Sequence, residues 1–199
     1  MRINAFGLAI PLWLQWTLVA MIAGMLTRAT HPRTLILTGL FFGLAQSPVL
    51  YPVLRSRGWL AHALWLPASA ISGLVGYLLI ASVGVRLLGP VLIAYTSPYE
   101  NFASHLIFLS FIWMVIGLGQ WPLLRGVLLN AGRWILVSAG GGAAGALIDL
   151  VLLLAGVEIY TSLIAGMLAG GGYGVATGRV LEQIRPPPPI RGHLPQIRR

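Results

Sequence analysis

Six long apolar runs, separated by short polar segments, take up most of the chain. Each run is about as long as the 20 or so residues that a helix needs to cross the hydrocarbon core of a bilayer. Only 9% of the 199 residues are charged, whereas soluble domains carry roughly 25%. So few charges do not cover a water-facing surface. The sequence therefore predicts an all-α integral membrane protein.

The arginines predict how this protein is oriented. All thirteen basic residues are arginine, and with both ends in the cytoplasm ten lie on the cytoplasmic side and three outside. The positive-inside rule therefore favours six spans with an N-in/C-in topology. The predicted transmembrane domain covers residues 1–181 and is followed by a Pro/Arg-rich cytoplasmic tail at 182–199. The spans lie at about residues 5–27, 34–54, 59–85, 102–124, 133–155 and 160–181.

The charge and the cysteine content limit which partners and which locations are expected. The Arg-rich cytoplasmic side is expected to contact anionic lipid headgroups. Because topology accounts for the net charge of +9, no nucleic acid is expected as a partner. The expected location is a bacterial inner (cytoplasmic) membrane or a specialised photosynthetic membrane. The absence of cysteine excludes disulfides, thiolate metal sites and cysteine nucleophiles.

A pattern of tryptophan and small residues recurs in the odd-numbered spans. The stretch at 134–149 and its counterpart in the third span share six residues at the same spacing, and a weaker copy with Trp16, Ala20 and Gly24 lies in the first span. Small residues at such positions let two helix backbones approach closely in a bilayer. The matched residues are Trp65, Ser69, Ala70, Gly73, Gly76 and Leu78 with Trp134, Ser138, Ala139, Gly142, Gly145 and Leu147.

The even-numbered spans share a second pattern, Gly-x-x-Gln-x-Pro-x-Leu, at 43–50 and 117–124, with Thr177 at the glutamine position of the sixth span. The two patterns together predict three parallel α-hairpins, related by a pseudo-symmetry axis along the membrane normal. The sixth span adds glycines at a spacing of four, which places them on one helix face. The predicted packing glycines are Gly73, Gly76, Gly142, Gly145, Gly166, Gly170, Gly174 and Gly178.

These elements resemble a set of uncharacterised bacterial multipass membrane proteins, of cyanobacterial and green non-sulfur bacterial type, which repeat Gly-x-x-Gln-Trp-x-x-Leu-Arg. The segment from Gln120 to Arg125 fits that repeat, whereas the copy at Gln46 lacks the tryptophan and the adjacent arginine. The resemblance extends over most of spans two to five. It implies a fold and no particular activity.

Three polar residues inside the spans are functional candidates, because the bilayer disfavours them. Asp149 is predicted either to pair with an arginine or lie near the interface, to contact a partner, or to handle an ion or proton. Gln46 and Gln120 hold equivalent positions near the cytoplasmic ends of their spans. They are predicted to form interhelical hydrogen bonds, with substrate binding or ligation of a pigment magnesium as alternatives.

His62 and His105 are candidate cofactor ligands. Their predicted depths in the membrane differ, so a haem held between them is not expected, although each alone is a candidate pigment ligand. Local hydrogen bonding is the simpler interpretation for both. Lipids are expected to bind, a chlorophyll-type pigment or carotenoid is left open, and no metal site is predicted.

No enzyme is predicted, and no residue is assigned as catalytic. The chain lacks His-Glu-x-x-His, Gly-x-Ser-x-Gly and P-loop motifs, and its four acidic residues leave little for acid–base chemistry.

The leading hypothesis is a non-catalytic subunit of a larger membrane complex, photosynthetic or respiratory, with other membrane subunits as partners. The apolar connection at 87–101 favours it, since such a segment suits the bilayer surface or a covering partner. The alternative is a small-solute transporter or the substrate-binding membrane component of an importer, like the binding subunits of energy-coupling-factor vitamin importers. Against this alternative, only a few residues could build the polar pocket expected on the outer side: Tyr95, Thr96, Ser97, Tyr99, Asn101, Glu158 and Tyr160.

Overall fold

A computed structural model describes residues 10–30, 37–54, 58–84, 86, 98–157 and 162–182. These ranges are helical and contain no β-strand, which confirms the all-α prediction for them. A π-helical segment, Ile80–Gly84, continues the fourth helix. The α-helices are α1 (Leu12–Ala29), α2 (Thr38–Leu54), α3 (Trp59–Ala63), α4 (Trp65–Leu79), α5 (Pro98–Leu124), α6 (Arg133–Leu154) and α7 (Leu163–Leu181).

Three helical stretches are long and apolar enough to cross a membrane. They are Trp59–Val83, Phe102–Leu124 and Arg133–Leu154, with 25, 23 and 22 residues. The first combines α3, α4 and most of the π-helical segment. α2 is also apolar but has 17 residues. These lengths and compositions are compatible with a membrane protein.

Two helix boundaries differ from the predicted spans. α5 begins at Pro98 rather than at residue 102, so the end of the predicted connection is helical. Proline suits a first turn, because its missing N–H has no partner there in any helix. α1 continues to Ala29, so Arg28 lies in its last turn and not in a loop. Residues 1–9, which include the start of the predicted first span, residues 87–97 of the connection and the tail from 183 onward lie outside the described residues.

The helices pack as a closed ring. α2 contacts α1 and α4, α5 contacts α4 and α6, and α7 contacts α6 and returns to α1. The contact between α1 and α7 joins the first described helix to the last one. The ring places α1, α5 and α6 around one interior, although they are far apart in the sequence.

A layer of three tryptophans fills the ring at one end. Trp16, Trp65 and Trp134 are each 0% exposed, and their ring centroids are 5.7–6.5 Å apart in edge-to-face pairs. Such aromatic pairs each contribute about 0.5–1.5 kcal/mol beyond their burial. Leucines from four helices and one linker pack around the tryptophans: Leu12, Leu50, Leu54, Leu124, Leu128 and Leu181.

Close glycine contacts recur at three helix interfaces. A Cβ atom on Gly43 or on Gly117 would lie 2.8 Å from the Cβ atom of Ser69 or Ser138, respectively. At the interface of α7 with α1, a Cβ atom on Gly174 would lie 3.0 Å from that of Ala20. Real Cβ atoms do not approach so closely, so each interface needs a glycine at this position.

Candidate functional site

An ion pair joins α1 to α6 inside the helix ring. Arg28 Nη2 donates a hydrogen bond of 2.5 Å to Asp149 Oδ2, and His105 Nε2 on α5 lies 3.1 Å from the same oxygen. The Asp149 side chain is 1% exposed, against 16% for Arg28 and 25% for His105. A carboxylate buried this deeply needs a nearby cation, since an unpaired buried charge is strongly unfavourable. These three side chains form what we call the charged cluster.

The second oxygen of Asp149 is not used by the charged cluster. Oδ1 is buried and has no hydrogen-bond partner among the described residues. Leaving a buried acceptor unpaired costs about 1–3 kcal/mol. Native structures contain few such atoms, and each one suggests a bound water, ion or ligand. Asp149 therefore contacts Arg28 and His105 through Oδ2, and its Oδ1 is available to bind a water, an ion or a ligand.

Arg28 and Asp149 occupy positions at which the segments that share the tryptophan pattern differ. Counted from the tryptophan of each repeat, Asp149 corresponds to Ile80 and Arg28 corresponds to Tyr77. Helix packing at these two positions thus does not require charge, because α4 and the π-helical segment have uncharged side chains there. Counted from the glutamine position, His105 corresponds to Ser162, the N-cap residue of α7, and to His31, which lies outside the described residues.

A cavity of about 140 Å³ lies beside the charged cluster. α1, α2, α5, α6 and α7 all contribute to its wall, and Arg28, His105 and Asp149 line it. Trp113 and Tyr173, which also line it, stack with ring centroids 3.9 Å apart and planes inclined by 29°. The cavity therefore has a charged part and an aromatic part.

Glycines form much of the remaining wall. Gly142, Gly145, Gly166 and Gly170 line the cavity on α6 and α7. Their lack of side chains leaves space that larger residues would fill. A Cβ atom on Gly166 would also collide with Cγ of Arg28, so this glycine lets Arg28 pass towards Asp149. The predicted packing glycines are all buried, and a Cβ atom at any of them would press against a neighbouring helix: Gly73, Gly76, Gly142, Gly145, Gly166, Gly170, Gly174 and Gly178.

Gln120 connects two helices in the tryptophan layer. Its Oε1 accepts a hydrogen bond of 2.9 Å from Trp134 Nε1, and its Nε2 donates one of 2.8 Å to Ser69 Oγ. Thr177, at the glutamine position of α7, accepts a 2.8 Å hydrogen bond from Trp16 Nε1. In both cases a tryptophan donates its indole N–H to the polar residue at the glutamine position of a neighbouring helix.

Gln46, the third residue at the glutamine position, forms no such hydrogen bonds. Gln46 is fully buried, and neither its amide nor Trp65 Nε1 has a hydrogen-bond partner in the described ranges. Ala20 takes the position in α1 that Ser69 takes in α4, so the Gln46 amide lacks the acceptor that Gln120 has. The Tyr173 hydroxyl faces Gln46 and two other polar side chains without a bond of ordinary length.

The structure separates the two predicted histidines. His62 Nε2 is 2.9 Å from Ser47 Oγ, and the His62 ring meets Tyr51 edge-on at 4.9 Å. His105 belongs to the charged cluster. The described residues contain no group of three His, Cys, Asp or Glu side chains that could hold a metal ion. Pigment ligation by either histidine stays a prediction.

Three site residues were not predicted from the sequence: Arg28, Trp113 and Tyr173. The predicted first span ends at residue 27 and leaves Arg28 outside it, although a position at the end of an apolar run would allow this side chain to face inward. Tyr173 is the one aromatic residue among the glycines of α7, which is a usable signal. The outer pocket expected from Tyr95, Thr96, Ser97, Tyr99, Asn101, Glu158 and Tyr160 lies outside the described residues, except for the backbone of Tyr99 and Asn101.

Comparison with known proteins adds no relative. No family model, curated protein or solved structure matches the chain. The site is therefore interpreted from its own geometry.

Proposed function

We propose that the chain crosses a bacterial inner or photosynthetic membrane six times, as three α-hairpins with both ends in the cytoplasm. The equivalent contacts of Gly43, Gly117 and Gly174 at three interfaces support the repeat, because duplicated hairpins would pack alike. The arginine distribution supports the orientation. In this topology the charged cluster lies towards the outer side and the tryptophan layer towards the cytoplasm. Membership of the bacterial multipass set named above is part of the same proposal.

We propose further that the protein is non-catalytic and binds a small solute in its cavity, as a transporter or as the substrate-binding membrane component of an importer. The observation that carries this proposal is Asp149 Oδ1, a buried unpaired acceptor among the described residues, on a side chain that lines a cavity. Charged residues within membrane spans commonly mark substrate or ion pathways. Ligand sites are typically concave and apolar with a few well-placed polar groups, as this cavity is.

The tryptophan layer favours a binding protein over an open channel. Trp16, Trp65 and Trp134 fill the ring beyond the cavity, and leucines surround them. A solute in the cavity would meet this packed layer before reaching the cytoplasm. Passage would therefore need a conformational change or a partner that drives one, as in alternating access.

The test is thermal unfolding of the purified full-length protein in detergent with a panel of solutes. The panel should include sugars, amino acids, inorganic anions and single-ring aromatic compounds. We expect at least one class to raise the Tm of the wild-type protein and of His62→Gln, which alters a histidine outside the cavity. The same class of solute should leave the Tm of the Asp149→Asn variant unchanged. A panel in which no compound shifts the wild-type Tm would contradict the proposal.

A second candidate is the non-catalytic subunit of a photosynthetic or respiratory membrane complex. α6 supports it with an outward apolar face, on which Leu136 is 71% and Val151 is 64% exposed. Gly140 lies on this face, and no atom of the described chain lies within 4 Å of a Cβ built there. A partner helix could approach the α6 backbone closely at this point. Purification in mild detergent as a monomer without other chains or pigments would contradict this candidate.

A further inference from the structure

We propose that the cavity holds an uncharged solute with a single flat ring, which donates an N–H or O–H hydrogen bond to Asp149 Oδ1. This inference rests on the proposed solute-binding function and names the chemical class of the solute. It follows from the size of the cavity, the shape of its wall, its unpaired polar atoms and its balance of charge.

The size of the cavity limits the solute to about one ring. Its volume of about 140 Å³ is close to that of an engineered protein cavity of about 150 Å³ that binds one benzene molecule. A disaccharide or a dinucleotide is larger than this space. The cavity therefore suits one six-membered ring with a small substituent.

The wall of the cavity favours a flat solute. The stacked rings of Trp113 and Tyr173 contribute aromatic surface, and Phe42 meets them edge-on with centroid distances of 4.5 and 5.4 Å. Glycines of α6 and α7 contribute bare backbone on other parts of the wall. Aromatic side chains pair with flat rings by offset stacking or edge-to-face contact. A planar ring matches this surface better than a branched aliphatic group does.

Asp149 Oδ1 and the Thr38 hydroxyl are the two unpaired polar atoms that we assign to the solute, because the Tyr173 hydroxyl, a third such atom on a lining residue, faces Gln46. Asp149 Oδ1 accepts hydrogen bonds, so its partner must be a donor. The Thr38 hydroxyl on α2 also belongs to a residue that lines the cavity, and it too is buried without a partner in the part of the chain described. A hydroxyl donates or accepts as its partner requires. A solute with a neutral amide or a similar donor–acceptor group would satisfy both atoms.

The balance of charge favours a neutral solute. Arg28 already neutralises Asp149, and the described lining residues include no other carboxylate or guanidinium. A cationic solute would be repelled by Arg28, and an anionic solute would be repelled by Asp149. An uncharged donor binds Oδ1 without disturbing the ion pair.

Four ring compounds of similar size test this inference: benzamide, acetophenone, benzoate and benzylamine. Benzamide and acetophenone have almost the same shape, but acetophenone lacks the N–H donors. Affinities should be measured by isothermal titration calorimetry on the full-length protein in nanodiscs. We expect benzamide to bind at least about tenfold more tightly than acetophenone, since acetophenone leaves Oδ1 unpaired. We expect both charged compounds to bind about tenfold more weakly than benzamide.

Two variants test whether benzamide binds in the cavity. Asp149→Asn should weaken benzamide binding at least about tenfold if its hydrogen bond is made at this carboxylate. Because this variant also disturbs the ion pair with Arg28, Leu109→Trp provides a second test, since it fills the cavity and keeps the charged cluster. Loss of benzamide binding in a folded Leu109→Trp protein supports the inference, and unchanged binding overturns it.

The outcomes separate this inference from the proposed function. Equal affinity for the four compounds, or a preference for a charged one, overturns the proposed class of solute. If none of the four binds but a sugar, an amino acid or an inorganic anion gives an Asp149-dependent rise in Tm, the class is wrong and the solute-binding function stands. If no compound of either set binds, both proposals fail.

Discussion

Arg28 and Asp149 are 121 positions apart in the sequence, yet Arg28 Nη2 is 2.5 Å from Asp149 Oδ2. This contact links α1 to α6 across the ring and leaves the second carboxylate oxygen without a partner among the described residues. Asp149 thus stabilises the fold through Oδ2, which binds Arg28, and Oδ1 remains for a ligand in the candidate site. Several substitutions separate these two roles.

Replacing both members of the ion pair should be tolerated better than replacing one. Arg28→Met leaves a buried carboxylate without its cation, and we expect a loss of about 3 kcal/mol in the free energy of unfolding. Arg28→Met combined with Asp149→Leu should recover most of this loss, because apolar side chains of similar size can replace a buried ion pair. Thermal unfolding of the two single variants and the double variant measures the coupling. A double variant that loses the sum of the two single losses would contradict the expectation.

Gln46 and Gln120 should respond in opposite ways to replacement by leucine. Gln120→Leu removes two hydrogen bonds and leaves Trp134 Nε1 unpaired, which should cost about 1–3 kcal/mol. Gln46→Leu removes an amide that has no partner in the described ranges, so stability should be unchanged or higher. Denaturation of both variants under the same detergent conditions compares them. Equal destabilisation would mean that Gln46 has a partner, such as a bound water.

Ala20→Ser should stabilise the protein through Gln46. A serine at this position would give the Gln46 amide the acceptor that Ser69 gives to Gln120, a gain of about 1 kcal/mol. Space exists for the hydroxyl, because Gly174 faces Ala20 as Gly43 faces Ser69. The matched control is Ala23→Ser, which buries a hydroxyl on α1 among apolar residues and should not stabilise.

The control for the Ala20→Ser mechanism is the same substitution in a Gln46→Leu background. There the new hydroxyl has no amide to bond to, so the gain in Tm should disappear. A gain of the same size in both backgrounds would show that the serine acts through some other contact.

Gly166→Ala should lower both stability and solute binding. The added methyl group would collide with the Gly24 backbone and with Cγ of Arg28, which would move the guanidinium away from Asp149. Gly140→Ala is the matched control, because no described atom lies within 4 Å of a Cβ there. The control should be unchanged or stabilised by up to about 1 kcal/mol through higher helix propensity. Tm and the affinity for the best solute of the panel check both variants, and a Gly166→Ala protein with wild-type values would contradict the prediction.

The sequence alone predicted the helical class and many of the packing positions. Apolar length is a local property, so long apolar helices could be predicted without knowledge of their neighbours. The spacing of Trp65, Ser69 and Gly73 repeats in α6, and the structure buries both sets. Helix ends were less accurate. A proline that begins a helix, as Pro98 does, also fits a connection, and the sequence does not distinguish the two cases.

The candidate site depends on tertiary structure. Asp149 stood out in the sequence because a carboxylate is unusual in an apolar run, but its partners Arg28 and His105 lie in α1 and α5. Which side chains meet depends on how the ring closes and how each helix is rotated about its axis. The sequence therefore determined that the chain is helical and apolar, because these properties follow from local composition and spacing. Only the tertiary structure decided which polar side chains meet, and it placed Arg28, His105 and Asp149 together beside one cavity.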